Sequence, residues 1–298
     1  MGRKMREIDA KTEVYGLIGD PVAHSRSPAM MNKAFREAGV NAVYAAFRVA
    51  KGMVRDALAG FRALGFRGAN VTIPHKVDVL AFLDDVDDRA RRIGAVNTIV
   101  NDGGRLVGYN TDGIGYVRSL KEETGVDLRG KRVLLIGAGG AARGVAFALA
   151  DEGVGTIWIA NRTAERAVSL AGDLARSADC KVEALDLSQA VRLCAEADVV
   201  VNCTSAGMAP SVDETPIATD ALRPGMIVSD LVYNPPETKW LRAARAAGAV
   251  VHGGVGMFVY QGAYAFEYWT GLPAPVAAMR AAVEASLGLR ADAEGDAP

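Results

Sequence analysis

Lys76 is the residue in the first third of the chain whose type and position most directly suggest chemistry. It follows the run NVTIPH, in which the polar Asn70 and Thr72 alternate with apolar residues along a predicted strand. Pro74 ends that strand, and Lys76 then falls at a predicted helix start, where the helix dipole disfavours a cation. A lysine ammonium can stabilise a developing oxygen anion and deliver a proton, so Lys76 is a candidate acid–base group.

Hydroxyl and carboxylate side chains follow other predicted strands. Ser25 and Ser27 lie in the segment HSRSP, between a strand and a helix. Ser27 precedes Pro28 and suits a helix N-cap, so we expect its hydroxyl to cap the helix, to bind a ligand, or to do both. Ser25 has no such structural role and is a candidate ligand-binding residue. Asp112 in the segment NTDG suits either an N-cap or a site.

A glycine-rich turn in the middle of the chain is typical of dinucleotide binding. Residues 133–144 read VLLIGAGGAARG, an apolar strand that leads through a G-x-G-x-x-A pattern directly into a helix. Gly137 allows the tight turn, Gly139 lets a diphosphate approach the backbone, and Ala142 lets helix and strand pack closely. Free N–H groups at the positive helix end favour the phosphates. The flanking strand and helix make the pattern far more specific than three small residues alone.

The residues after the next strand favour NADP over NAD. An NAD site usually carries an acidic residue there, which binds the ribose 2′-hydroxyl. This chain reads WIANRTAER instead, so the strand ends at Asn161, and Arg162 and Arg166 follow it. Two guanidinium groups can hold a 2′-phosphate through charge-assisted hydrogen bonds. The alternative is that both arginines are solvated, or paired with Glu165 between them.

Apolar periodicity predicts an α/β fold. Early in the chain it predicts strands at 14–19, 43–49 and 69–73, with helices at 28–38 and 53–64. The turn NDGG between two apolar runs predicts a hairpin. After Asp112 comes a helix, and then a second series with strands at 132–136, 156–160, 181–185, 198–202 and 226–230. Such alternation predicts a Rossmann-type, doubly wound parallel sheet with helices on both faces.

We therefore expect two domains. An N-terminal α/β substrate domain is predicted at residues 1–112, and a dinucleotide domain at 113–253. Two helices are predicted at about 256–270 and 275–287. If they return to the first domain, residues 254–290 belong to it and the second domain is an insertion. The polar residues 291–298 are expected to form a disordered tail.

Composition and charge exclude several classes of function. The chain has 298 residues, 50% apolar and 23% charged, and its formal net charge of −1 provides no bulk attraction to nucleic acid or membranes. The three cysteines form no C-x-x-C pair and the three histidines have no metal-ligand spacing, so we expect no metal site. The charged start is unlike a signal peptide, and no apolar run reaches about 20 residues, which favours a reduced, cytoplasmic protein.

Eight segments occur in this order along the chain: SRSP, NVTIPHK, GAVNT, GYNTDG, GAGGAARG, NRTAER, DLVYNP and GGVGMFVYQGAYAF. Together they resemble the shikimate dehydrogenases, within the wider shikimate/quinate dehydrogenase family. The resemblance extends over residues 15–287, nearly the whole chain. It implies an NADP-dependent oxidoreductase that reversibly reduces 3-dehydroshikimate to shikimate, a step of chorismate and aromatic amino acid biosynthesis.

The resemblance also implies roles for individual residues. Lys76 and Asp112 would form the catalytic pair. Binding of the cyclohexene acid is implied for Ser25, Ser27, Thr72, Asn97, Asp112, Tyr233 and Gln261. Binding of NADP is implied for Gly137, Ala138, Gly139, Gly140, Ala141, Asn161, Arg162, Thr163, Arg166, Leu231 and Gly254, the last two on the nicotinamide side. In this family the C-terminal helices return to the first domain, which supports the insertion.

Two other functions stay open. One is the same chemistry on quinate, with dual substrate or NAD use, because MNKAFREAG and NTIVNDGG resemble the dual-substrate branch. The serine pair would then decide how an extra ring hydroxyl is accommodated. The other is a non-catalytic NADP-binding protein, which the presence of both Lys76 and Asp112 disfavours. The expected partners are the small-molecule substrate and cofactor, and the expected state is a monomer or homodimer.

Overall fold

A computed structural model describes residues 8–289, which form two compact units, each with its own six-stranded sheet. The first unit comprises the chain up to Thr111 and again from Gln261, and the second comprises Asp112–Tyr260. The second unit is thus inserted into the sequence of the first. Its end lies inside a helix, beyond the predicted boundary at 253/254. The predicted tail, residues 291–298, lies outside the described residues.

The first unit is built on a mixed sheet. Its strands are β1 Glu13–Gly19, β2 Ala42–Arg48, β3 Gly68–Val71, β4 Asp85–Val86, β5 Thr98–Asp102 and β6 Arg105–Tyr109. They lie in the order β2-β1-β3-β5-β6-β4, with β1 parallel to both neighbours and β5 antiparallel to both of its own. Gly103 and Gly104, both at positive φ, form the turn of the predicted hairpin.

Three helices and a helical turn connect these strands. They are α1 Ser27–Ala38, α2 Val54–Ala63, a 3₁₀ turn at Asp78–Phe82, and α3 Asp88–Ile93. The apolar face of α2 packs onto the sheet in a core that includes Ile18, Leu58, Val79 and Ile99. This core holds β1 and β3 in register, and residues that follow both strands are predicted site residues.

The second unit is a fully parallel sheet. Its strands are β7 Arg132–Ile136, β8 Thr156–Ala160, β9 Lys181–Leu185, β10 Val199–Asn202, β11 Ile227–Asp230 and β12 Val250–His252. Their order is β12-β11-β10-β7-β8-β9. The direction in which the chain adds strands reverses between β7 and β10. In open α/β sheets, ligands bind outside the carboxyl ends of the strands at such a switch point.

Helices of the second unit connect the strands of this sheet or precede them. They are α4 Asp112–Thr124, α5 Gly140–Asp151, α6 Ala164–Ala175, α7 Leu187–Cys194 and α8 Lys239–Ala246. Helix α7 begins with a capping box between Asp186 and Gln189. Buried Leu134, Trp158 and Trp240 belong to the core of the unit.

The chain ends with α9 Gly254–Thr270 and α10 Val276–Ser286. In the first unit, a β-carbon at Gly262 of α9 would overlap the Met30 side chain of α1 and meet Met279 of α10 at 3.5 Å. The absence of a side chain at Gly262 therefore lets these helices pack closely. Within residues 8–289, every helix is too short or too polar to cross a lipid bilayer.

The predicted α/β class, with a Rossmann-type unit, is confirmed. The strands predicted for the second series are all present, whereas β4, β12 and α3 were not predicted. These three elements have only two, three and six residues, too few to display a period. The strand predicted at 69–73 ends at Val71, because residues 73–74 turn away from the sheet.

Candidate active site

The serine pair lies where β1 leads into α1. Helix α1 begins at Ser27 and its N-cap position belongs to Arg26, whose side chain makes no capping hydrogen bond. The N-cap role predicted for Ser27 is therefore wrong, because its backbone is already helical. The Ser27 backbone N–H donates to Ser25 Oγ at 3.2 Å, which holds the Ser25 hydroxyl at the start of the helix.

Lys76 lies in the turn between β3 and the 3₁₀ helix. The predicted helix start at Lys76 is wrong, because the helical turn begins only at Asp78, so the argument from the helix dipole does not apply. The turn is fixed instead by its neighbours. Fully buried His75 places Nε2 2.7 Å from the Val49 carbonyl oxygen, and the Val96 N–H donates to the Lys76 carbonyl at 2.8 Å.

Thr72 and Asn97 lie on the two sides of this turn. Thr72 follows β3, is partly buried, and its N–H donates to the Ile18 carbonyl at 2.9 Å. Asn97 immediately precedes β5 and is buried. Its Nδ2 donates to Thr111 Oγ1 at 2.9 Å, and its Oδ1 accepts from the Thr111 N–H at 2.8 Å.

Thr111 also connects Asn97 to the C-terminal part of the first unit. The Thr111 hydroxyl donates to the Gln261 carbonyl at 3.0 Å. The structure therefore brings two predicted substrate ligands, Asn97 and Gln261, to one buried threonine. These residues are 164 positions apart, from 97 to 261, so no local pattern predicts their proximity.

Asp112 is the first residue of α4, and the second unit holds this helix through a buried histidine. His252 of β12 has Nε2 2.8 Å from Ser119 Oγ of α4 and Nδ1 2.8 Å from Ser229 Oγ of β11. Tyr116 of α4 donates to the same Ser229 at 3.1 Å. The helix that carries Asp112 is thereby fixed to strands β11 and β12.

The glycine turn has the geometry that a diphosphate site requires. Gly137 has φ +115°, and a β-carbon there would lie 3.0 Å from the Cys203 backbone after β10, at the switch point. A β-carbon at Gly139 would meet nothing within 4 Å, so space is open beside the turn. Helix α5 then begins at Gly140 and continues through Ala141, and no side chain caps its N terminus. Its first N–H groups fit an anion.

The arginines after β8 are exposed. Among the described residues, Arg162 and Arg166 form no ion pair, so the pairing of either with Glu165 is not observed. The loop itself is ordered by Asn161, which donates to the Thr163 carbonyl at 2.9 Å. The ribose position after β8 therefore presents guanidinium groups, which fit a 2′-phosphate.

Arg143 of α5 contrasts with these two arginines. Its Nη2 lies 2.5 Å from Asp173 Oδ2 of α6, and Asp173 also pairs with Arg176. The two guanidinium groups hold the pKa of Asp173 below its usual value, although burial acts in the opposite direction. Arg143 is thus bound within the protein.

Leu231 and Gly254 come together beyond the ends of β11 and β12. A β-carbon at Gly254 would overlap the Leu231 carbonyl, so the two backbones touch. Tyr233, further along the same loop, stacks on Phe258 of α9 with ring centroids 4.2 Å apart. The structure therefore places the predicted nicotinamide-side residues next to each other within the second unit.

Asp230 supports this loop and was not predicted. Its Oδ1 accepts from Asn202 Nδ2 at 2.9 Å and from the Val232 N–H at 3.0 Å, and Oδ2 accepts from Thr238 Oγ1 at 2.7 Å. Burial raises the pKa of Asp230 to about 6, and these hydrogen bonds only partly oppose the rise. The signal available in the sequence was an acidic residue at the end of an apolar predicted strand, where the segment DLVYNP begins.

One cavity of the first unit, of about 610 Å³, is lined by none of the predicted site residues. Its lining is charged, and much of that charge is already neutralised because Asp85 pairs with Arg91 and Arg105, while Arg67 pairs with Glu13. We assign it no role. Over residues 8–289, histidine, cysteine and acidic side chains form no cluster suited to a metal ion.

Comparison with known proteins covers both units. Family models match in three parts: the shikimate dehydrogenase substrate binding domain at residues 17–99, shikimate/quinate 5-dehydrogenase at 119–222, and the shikimate 5′-dehydrogenase C-terminal domain at 254–284. The relative from Geobacillus kaustophilus, named shikimate dehydrogenase (NADP+), is 57% identical over 87% of this chain and 93% of its own length.

Two solved structures show how far the likeness extends in three dimensions. A shikimate dehydrogenase in complex with NADP+ has a TM-score of 0.88 and 42% identity, covering 96% of this chain and 99% of its own. Quinate dehydrogenase from Corynebacterium glutamicum, in complex with NAD, has a TM-score of 0.85 and 34% identity, covering 92% of this chain and 99% of its own.

A doubly wound dinucleotide unit inserted into the sequence of a second α/β unit defines, with these likenesses, a nicotinamide-dependent oxidoreductase. The family that the sequence segments indicated is confirmed. This chain belongs to the shikimate dehydrogenase family.

Proposed function

We propose that this protein catalyses the NADP-dependent, reversible reduction of 3-dehydroshikimate to shikimate, in the biosynthesis of chorismate and the aromatic amino acids. The observation that carries the proposal is the pair of exposed arginines after β8, beside a diphosphate turn, in a member of this family. A guanidinium pair in place of an acidic residue selects the phosphorylated cofactor.

The cofactor would be held by the second unit. We propose Gly137, Ala138, Gly139, Gly140 and Ala141 for the diphosphate, Asn161, Arg162, Thr163 and Arg166 for the 2′-phosphate, and Leu231 and Gly254 for the nicotinamide side. The bound nicotinamide supplies or accepts the hydride. Helix α5, the loop after β8 and the Leu231–Gly254 contact provide the three matching surfaces.

The substrate would be held mainly by hydroxyl and amide groups. We propose Ser25, Ser27, Thr72, Asn97, Asp112, Tyr233 and Gln261 as its ligands. Apart from Asp112, these groups hydrogen-bond to ring hydroxyls and to a carboxylate without placing a fixed charge against either. Buried Asn97 is held by Thr111, so its amide is preorganised.

Lys76 and Asp112 would form the catalytic pair. In the reducing direction the ketone oxygen gains negative charge, which the Lys76 ammonium stabilises and then protonates. Asp112 would hold both the Lys76 ammonium and the substrate hydroxyl. In the oxidising direction the same pair accepts the proton, which requires Lys76 to be uncharged at that moment.

We also propose that residues 1–112 with 254–290 form the substrate domain and 113–253 the NADP domain. The protein would work in the cytoplasm as a monomer or homodimer on small molecules, without a nucleic-acid or membrane partner. The net charge of −1 and the free Cys180, Cys194 and Cys203 support these expectations.

A second candidate is the same chemistry on quinate, with NAD as cofactor. It is favoured by the similarity to a quinate dehydrogenase in complex with NAD, at a TM-score of 0.85. Quinate carries an additional ring hydroxyl, and the residues beside Ser25 and Ser27 would have to accommodate it. The exposed arginines after β8 disfavour NAD as the cofactor in this alternative.

The test is turnover of the purified protein with each acid and each cofactor, followed through absorbance of the reduced nicotinamide. We expect fast turnover with shikimate and NADP. Comparable turnover with quinate would overturn the substrate assignment, and comparable turnover with NAD would overturn the cofactor assignment. Either result would still support the proposed hydride-transfer reaction. Binding of NADP without any turnover would overturn the enzymatic function.

A further inference from the structure

Tyr44 is a buried residue of β2 with a precisely fixed hydroxyl group. Its relative exposure is 2%, and its ring packs against Trp269 with the ring centroids 6.1 Å apart. Asn32 of α1 holds both backbone polar groups of Tyr44: its Nδ2 donates to the Tyr44 carbonyl at 2.8 Å, and its Oδ1 accepts from the Tyr44 N–H at 2.9 Å. The fold therefore determines where the phenol oxygen lies.

The Tyr44 hydroxyl connects residues from separate parts of the first unit. It donates to Asn70 Oδ1 at 2.8 Å, and the Ser27 side chain lies next to the phenol group. Asn70 Nδ2 in turn donates to the Asn97 carbonyl and to Thr98 Oγ1, both at 3.2 Å. A buried chain of hydrogen bonds thus links the Tyr44 hydroxyl, which adjoins Ser27, to the backbone of Asn97. Ser27 and Asn97 are both proposed substrate ligands.

One backbone carbonyl sets the direction of this chain. The Asn97 carbonyl can only accept, so the Asn70 amide faces it with its NH₂ group and turns Oδ1 toward Tyr44. Tyr44 has a single proton and donates it to Oδ1, so toward Ser27 its oxygen can only accept a hydrogen bond. Burial raises the pKa of the Tyr44 phenol, which keeps this proton in place near neutral pH.

We infer that Tyr44 is a positioning residue of the proposed substrate site: its phenol oxygen orients the Ser27 hydroxyl for ligand binding, and its proton holds the Asn70 amide against the Asn97 backbone. The inference rests on the proposed function and deepens it, because it explains how hydroxyl and amide ligands from separate elements are preorganised. Loss of the Tyr44 hydroxyl leaves a buried acceptor, Asn70 Oδ1, without its donor and releases Ser27.

The test is Tyr44→Phe, which keeps the ring and removes only the hydroxyl. Tyr15→Phe is the matched control, because Tyr15 is 1% exposed, packs on the same Trp269 with centroids 5.0 Å apart, and donates to Glu13 outside the chain. We expect the shikimate KM and Kd to rise about tenfold in Tyr44→Phe, with the NADP KM unchanged. Tyr15→Phe should leave all three within about twofold.

A structural role alone would lower the melting temperature in both variants without separating the two KM values. A second readout is a double-mutant cycle of Tyr44→Phe with Ser27→Ala. The double variant Ser27→Ala/Tyr44→Phe should bind shikimate nearly as well as Ser27→Ala alone, because both changes act through one hydroxyl. Additive losses of affinity would overturn the inference, as would a shikimate Kd in Tyr44→Phe equal to that in Tyr15→Phe.

The wild-type protein distinguishes this inference from the proposed function. If the wild type turns over shikimate and Tyr44→Phe behaves like Tyr15→Phe, only the inference fails. If the wild type binds shikimate without turnover and Tyr44→Phe binds it more weakly, only the enzymatic function fails. If the wild type does not bind shikimate, both fail.

Discussion

Lys76 is fixed by its backbone, whereas its ammonium group is carried on a flexible stem. The turn is held by buried His75 and by the hydrogen bond from Val96 to the Lys76 carbonyl, while the side chain itself is only partly buried. Such an arrangement fixes the point from which the four-carbon stem carries the ammonium group. The proposed acid–base role thus depends on one side chain that the fold positions without enclosing it.

Replacement of Lys76 by alanine should lower kcat for shikimate oxidation by roughly 10²- to 10⁴-fold, the usual range for a general acid–base group. The NADP KM should change little, since Lys76 is not among the proposed cofactor ligands. Lys51→Ala is the control, because Lys51 is an exposed lysine of the first unit. Steady-state kinetics with an unchanged kcat in Lys76→Ala would remove this residue from the mechanism.

Arg162 and Arg166 should decide the cofactor. Changing both to alanine removes charge-assisted hydrogen bonds worth about 1.5–3 kcal/mol each, so the NADP KM should rise at least about tenfold. The NAD KM should stay nearly constant, because NAD lacks the 2′-phosphate. Arg192→Ala, which changes an exposed arginine on α7, should alter neither value. An equal rise of the KM for both cofactors would show that the two arginines do not recognise the 2′-phosphate.

At the scale of elements, the junction from β7 to α5 depends on the conformation of Gly137. An alanine there would be strained at φ +115° and would press on the backbone at Cys203. We expect Gly137→Ala to destabilise the protein by about 1–3 kcal/mol and to weaken NADP binding. Urea unfolding and calorimetric titration measure the two effects.

Gly172 in α6 provides the opposite case for the same substitution. It is exposed within the helix, and a β-carbon there would meet nothing within 4 Å. Gly172→Ala should therefore stabilise the protein by about 0.5–1 kcal/mol and leave NADP binding unchanged. A loss of stability in Gly172→Ala equal to that in Gly137→Ala would refute the conformational argument.

The end of β11 should contribute a pH dependence to stability. Burial raises the pKa of Asp230 from 3.8 to about 6, so the folded protein holds this proton more tightly than the unfolded chain does. The contribution is full below about pH 4 and is lost as the pH rises through about 6. This is the reverse of the usual behaviour of a carboxyl group paired with a cation.

Asp230→Asn tests this sign, because asparagine cannot ionise. The free energy of unfolding of the variant relative to the wild type should increase by about 2 kcal/mol between about pH 4.5 and about pH 7.5. All other carboxyl groups are shared by the two proteins, so their contributions cancel. Urea unfolding at both pH values measures the difference, and an equal difference at the two would contradict the raised pKa.

At the scale of the whole molecule, cofactor binding and folding are linked. NADP at about 100 times its Kd should stabilise the folded protein by about 2.7 kcal/mol, whereas the same concentration of NAD should stabilise it less. The melting temperature with each cofactor measures this difference. The Arg162→Ala/Arg166→Ala variant is the control, and it should lose the NADP shift selectively. Equal shifts with NADP and NAD in the wild type would contradict the cofactor assignment.

The sequence by itself determined those features that local periodicity and local chemistry encode. The strands of the second unit, the hairpin at Gly103–Gly104 and the turn after β7 all follow from residues adjacent in the chain. The arginine pair after β8 is of the same kind, because the cofactor preference depends on which residues directly follow one strand. The family was readable for a related reason, since its segments are short and keep their order.

The tertiary structure decided the features that depend on distant partners. Ser27 looked like an N-cap and is instead a helical residue whose hydroxyl meets Tyr44, and Lys76 lies in a turn that distant carbonyl and amide groups hold. The partners of Asp230 and His252 likewise come from other strands and helices. A period of two or of 3.6 residues reports only which face a side chain occupies. The group opposite that face is determined by sheet order and helix packing, which bring together residues that are far apart in the chain.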